Sequence, residues 1–170
     1  MLWIMGRPPR CNPCCSPKRQ GFCTHRQIDG TGPTVEWSAS IDTHGGNAAV
    51  VNAVAFDSSG NGYVGGSASP GTGTLQKFNP YGQRVWRVNL ATPVRAVTTN
   101  GTHVWAGISV VSLGSDTLYK FACSDGAEVW SVSARNVNDL IHDGAGKVYA
   151  AHDGKCHVGL FDADGDIIEA

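Results

Sequence analysis

The chain has 170 residues, 22 of them Gly and 2 Met, and a formal net charge of −1. That length suffices for one domain with a core of its own, and the near-zero charge excludes a polyanion binder acting by bulk charge. No apolar run approaches the ~18 residues of a membrane-spanning helix. The apolar start of MLWIMGRPPR has no basic residue before it and falls short of a secretion signal. The expected setting is therefore the cytoplasm or a released particle, without a membrane partner.

Charge is unevenly placed along the chain. The first 26 residues carry five basic residues and no acid, while the remainder carries eight basic and fourteen acidic residues. A +5 arm thus precedes a −6 body. Five charges give nucleic acid only weak, salt-sensitive attraction, so nucleic acid is not an expected partner.

Residues 1–23 read as an irregular, basic, Cys/Pro-rich arm. Within it Cys11, Cys14, Cys15 and Cys23 fall in CNPCCSPKRQGFC, and His25 follows. The C-x2-C pair Cys11/Cys14 has the spacing that lets two thiolates face one tetrahedral zinc ion, with Cys23 or His25 able to supply the other half. Three readings stay open at this point: a zinc site, disulfides formed in an oxidising setting, or free thiols. These five residues are the candidate metal ligands, and no other cofactor is expected.

From residue 24 onward the chain reads as short strands. The segment 24–41 is a half unit, with Ile28 expected in the place that Phe78 holds in the next unit, Gly32 in the turn and Trp37 in the place of Trp86. Then VNAVAFDSSGNGYVGG from Val51, VRAVTTNGTHVWAG from Val94 and VNDLIHDGAGKVYAA from Val137 start 43 residues apart. Each has an alternating apolar stretch, a Gly turn and an aromatic (Tyr63, Trp105, Tyr149), the pattern of a hairpin. A second hairpin follows each: LQKFNPYGQRVW, LYKFACSDGAEVW and GLFDADGDIIE, with Phe78, Phe121 and Phe161 before Gly82, Gly126 and Gly165. Trp86 and Trp130 sit in the last strand, and Glu169 stands in their place in the third copy. The units span 49–91, 93–135 and 137–170, and no helix longer than a turn or two is expected.

Four antiparallel strands in about 43 residues is the size of a propeller blade. The fold class expected is all-β, about three and a half propeller-type blades after an irregular arm. The apolar runs Val51–Phe56 and Val94–Val97 are expected to be packed on both faces. Asp162 to Asp166 is expected to be a turn rather than a calcium loop, since Gly165 and Glu169 miss the places such a loop requires. Cys123 and Cys156 are expected to be unpaired. No nucleophile elbow or phosphate loop is present, and no catalytic residue is assigned.

The unit resembles the PQQ-like, or quinoprotein-type, propeller repeat. The resemblance rests on Tyr63, Val64 and Gly65, on Gly73, Thr74 and Leu75, and on Gly82 and Trp86; in the second copy on Val104, Trp105 and Gly107, on Thr117, Leu118 and Tyr119, and on Gly126 and Trp130. It covers residues 24–170 and implies that each Trp packs between blades. Quinoprotein dehydrogenases close about eight blades around a quinone and calcium; three and a half cannot build that site alone. The chain is also similar in general look to small Cys-rich blade-repeat proteins of bacteriophage virions. That likeness implies a non-enzymatic head or tail component that docks on other virion proteins or on copies of itself. The alternative is an oligomeric lectin that binds carbohydrate.

Overall fold

In the computed structural model the described residues are 22–28, 33–41, 49–69, 71–109, 117–153 and 157–169. They form strands and turns, with no helix among them. The order is β1 (Phe22–Ile28), β2 (Pro33–Ser40), β3 (Val50–Phe56), β4 (Gly62–Ser69), β5 (Thr72–Phe78), β6 (Arg84–Leu90) and β7 (Val94–Thr99). It continues with β8 (His103–Ile108), β9 (Leu118–Ala122), β10 (Glu128–Val132), β11 (Val137–His142), β12 (Val148–His152), β13 (His157–Phe161) and β14 (Ile167–Glu169). Strands β3 to β6, β7 to β10 and β11 to β14 make three antiparallel four-stranded sheets in chain order, and β1 pairs with β2 alone. The 43-residue period of the sequence is thus one sheet.

Local chemistry fixes the turns. In five of them an Asp or Asn side chain accepts two backbone N–H groups. Asp57 takes Ser59 and Asn61, and Asn79 takes Tyr81 and Gln83. Asn100, Asp143 and Asp162 repeat the device, the last with Asp164 and Asp166 both at 2.9 Å. Asp162 to Asp166 is therefore the expected turn.

The second sheet is covered on both faces, and the core lies between neighbouring sheets. Tyr63 and Leu75 of the first sheet pack against Val94, Val97, Val104, Ala106 and Phe121 of the second. Trp105 and Leu118 of the second pack against Val137, Leu140, Val148, Ala150 and Phe161 of the third. Trp37, Ala39 and Ile41 lie with Val51, Val64 and Phe78, so the β1–β2 half-sheet covers the first sheet. Below, the face toward the preceding sheet is called leading and the other trailing. Burying each large apolar side chain in these layers contributes roughly 1.5–3 kcal/mol.

Two expectations change. The run Val51–Phe56 is not packed on both faces: Val54 is 41% exposed on the leading face, whereas its counterparts Val97 and Leu140 are buried. Among the described residues the half-sheet carries two strands and leaves β3 partly bare. Ile28 is also not in the place of Phe78. The ladder slips by one residue just after His25, as it does just after Lys77 and Leu160, and this puts Arg26 there, while Ile28 pairs with Pro33 further along. The half-sheet has a longer ladder toward its turn than the full sheets.

Candidate functional site

The residues that recur with the sheets build the joints between them. Trp86 donates its Nε1–H to the carbonyl of Cys123 in the next sheet at 3.1 Å, and Lys77 donates to the same oxygen at 2.7 Å. One sheet later Trp130 and Lys120 share the carbonyl of Ala163 at 2.9 and 2.7 Å. The indole rings lie over the turn glycines. A Cβ on Gly126 would come 2.9 Å from the Trp86 ring, on Gly165 2.9 Å from Trp130, and on Gly82 2.8 Å from Trp37. These glycines also have φ near +80°, a conformation costly for any residue with a Cβ.

Each lysine lies over aromatic rings, a cation–π arrangement. Lys77 Nζ is 5.7 Å from the Tyr63 centroid, and Lys120 Nζ is 5.6 Å from Trp105 and 5.8 Å from Trp130. Burial lowers the Lys120 ammonium from its ordinary pKa, against the pull of Asp164 and Asp162. Both lysines were visible in the repeat, before Phe78 and Phe121, but a lysine before a core Phe reads as a solvated position. The register puts His25 opposite Trp37, the place that Lys77 and Lys120 hold opposite Trp86 and Trp130.

The third sheet lacks these devices on its trailing face. Gly65 and Gly107 hold equivalent places, and the valines of the next sheet, Val94 and Val137, leave no room there for a Cβ; the third sheet has Ala151. Leu160 stands for the lysine and Glu169 for the Trp. On this face Ile141 is 65%, Val158 57% and Tyr149 38% exposed where Thr98, Leu118 and Trp105 are buried, and Asp139 stands in the place of Ala96.

Two polar clefts lie at opposite ends of the first strands. One, of about 390 Å³, is lined by Asn52, Pro93, Arg95, Ser109 and Asn138. Residues 52, 95 and 138 are the bulged positions of β3, β7 and β11, and bulges re-aim side chains. Asn52 donates to Val94 O at 2.8 Å, Arg95 reaches Ser109 Oγ and Asn138 Oδ1, and Asn138 donates to Asp153 at 2.7 Å. The result is a polar ladder that stitches neighbouring sheets. Hydrogen bonds from Asn138 and Asn136 hold the Asp153 carboxyl below its ordinary pKa.

The other cleft, of about 420 Å³, includes Asp57, Asn61, Lys77, His103 and Cys123. Asp57 accepts from Tyr63 Oη at 3.1 Å and from Asn61 Nδ2 at 2.9 Å. Burial alone would raise its pKa, but these bonds outweigh burial and hold it below 3.8. Burial, with Cys123 and Asp57 beside it, raises the Tyr63 phenol. Cys123 is buried, unpaired and 3.5 Å from Thr99 Oγ1.

Of the candidate metal ligands, Cys11, Cys14 and Cys15 lie outside the described residues, as does Cys156. Cys23 and His25 fall in β1, paired with Ala39 and Trp37. Among the described residues no group of three or more His, Cys, Asp or Glu could hold a metal ion.

No family model matches the chain, and no curated protein matches it. Among solved structures, a protein of unknown function from Bacteroides caccae is similar over 79% of this chain and 84% of its own, at 12% identity and a TM-score of 0.27. A likeness of that size carries no argument about fold or activity.

Proposed function

We propose that the chain is a non-enzymatic interaction protein whose sheets are propeller-type blades, and that it works inside a larger protein assembly. The observation that carries this reading is the trailing face of the third sheet. It presents Ile141, Tyr149 and Val158 exposed in places that the internal joint buries, beside Asp139 and Glu169. Repeat arrays that end in solution normally carry a polar outer face, and an exposed apolar patch on a folded chain marks an interface. The blade reading draws on the same joint being used twice, with Trp, Lys and a turn Gly each time. A virion head or tail is the assembly that fits the general look of the sequence, and the basic arm of residues 1–23 would be its second point of attachment.

Size-exclusion chromatography with light scattering tests the reading. The chain is expected to associate above its 17.9 kDa monomer mass, and Ile141→Asp with Val158→Asp to abolish association without loss of folding. A wild-type monomer with no tendency to associate at micromolar concentration would count against it.

A further inference from the structure

The opposite end of the molecule is open in a different way. The half-sheet β1–β2 takes the place of the last two strands of a sheet preceding β3–β6. Trp37 lies over Gly82 as Trp86 lies over Gly126, and the ladder slip after His25 falls where β5 slips after Lys77. In each full sheet the third strand is paired on both sides: β5 with β4, β9 with β8, β13 with β12. Among the described residues β1 is paired on one side only, with β2. Among the described residues the two strands that would come before it have no counterpart.

The surface those two strands would cover is bare and apolar. In the full sheets the first strand of one sheet packs on the first and second strands of the sheet before. Val97 is buried with Ala53, Ala55 and Tyr63 in this way, and Leu140 with Ala96 and Trp105. Their counterpart Val54 is 41% exposed, and Phe56 on the same face of the strand is 40% exposed. This strip continues the interface that Trp37, Ala39 and Ile41 already make with Val51, Val64 and Phe78. A free strand edge and an uncovered apolar strip therefore adjoin each other.

We propose that β1 and β3 together form an acceptor for a β-hairpin donated by a partner polypeptide, which adds two antiparallel strands and completes the half-sheet. This rests on the reading of the chain as an assembly component and names the chemistry of one partner. Strand addition satisfies an exposed backbone edge, and alternate side chains set specificity. The internal joints specify the donor further. Its second strand runs antiparallel to β1 and carries an aromatic in the place of Tyr63 and Trp105. It carries Gly in the place of Gly65 and Gly107, where the following sheet allows no Cβ.

The chain contains a segment that meets these requirements, β7–β8, with Trp105 and Gly107. A fluorescently labelled peptide of residues 93–109 therefore serves as the probe, titrated against the full chain by anisotropy. Saturable binding is expected, weakened on the order of tenfold by Val54→Asp in the protein and abolished by Gly107→Val in the peptide. The peptide substitution leaves the protein untouched, so it reads the site even if Val54→Asp disturbs folding. Ile141→Asp, at the far end, should leave binding unchanged. Absence of saturable binding, or binding indifferent to both Val54→Asp and the Gly107→Val peptide, overturns the proposal. Loss of this site with association still dependent on Ile141 leaves the assembly reading standing. A monomer that binds the peptide does the reverse.

Discussion

At the level of single residues, the turn glycines do two separable things. Gly126 and Gly144 both have φ near +80°, but a Cβ on Gly126 would strike the Trp86 ring at 2.9 Å while one on Gly144 meets nothing within 4 Å. Gly144→Ala should therefore cost only the left-handed backbone, about 1–2 kcal/mol. Gly126→Ala should add an overpacking cost of about 1–3 kcal/mol. Urea denaturation of the two variants measures the difference, and equal losses would remove the steric role given to Trp86. Asp57 offers a pH test. Its folded pKa is depressed, so the stability it contributes is present above its unfolded value near 3.8 and is lost as pH falls through the lower folded value. Between pH 5 and pH 2 the melting temperature should fall less steeply in Asp57→Asn than in the wild-type chain, as thermal melts by circular dichroism would show.

At the level of elements, each joint converges on one backbone oxygen. Cys123 O, on a buried residue, accepts from both Lys77 Nζ and Trp86 Nε1. A carbonyl oxygen has two lone pairs, so removing one donor leaves it satisfied and removing both does not. Lys77→Met and Trp86→Phe should each cost about 1 kcal/mol in lost hydrogen bonding. The double variant should lose about 1 kcal/mol more than the sum, because an unsatisfied acceptor remains. Additive losses in a double-mutant cycle would show that the two donors act independently.

At the level of the whole molecule, much of the architecture is legible because it is local. Alternating Val, Ala and Phe with Asp or Asn and Gly at the turns dictates strand, turn, strand, and the 43-residue period counts the sheets. What was not legible depends on neighbours far along the chain. Val51–Phe56 and Val94–Val97 look alike as text, yet one is half bare, with two strands before it among the described residues where the other has a full sheet. The acceptors of the joints are main-chain oxygens of Cys123 and Ala163, which leave no mark on residue identity. The place of Arg26 came from a ladder slip that composition does not encode. The candidate metal ligands are split, three outside the described residues and two in β1. The open faces of the third sheet and of β3 are therefore where the structure adds most to the sequence.

The use of a main-chain oxygen as the anchor has an evolutionary consequence. The anchoring carbonyl belongs to Cys123 in one joint, three residues before Gly126, and to Ala163 in the other, two residues before Gly165. The joint is indifferent to the side chain that carries the oxygen and tolerates one residue of length change. The exposed positions of these turns, Ser124 and Asp125 in one and Ala163 and Asp164 in the other, can therefore change while the tryptophan, lysine and glycine keep the joint. They are the places at which new surface chemistry could arise without disturbing how the sheets fit together.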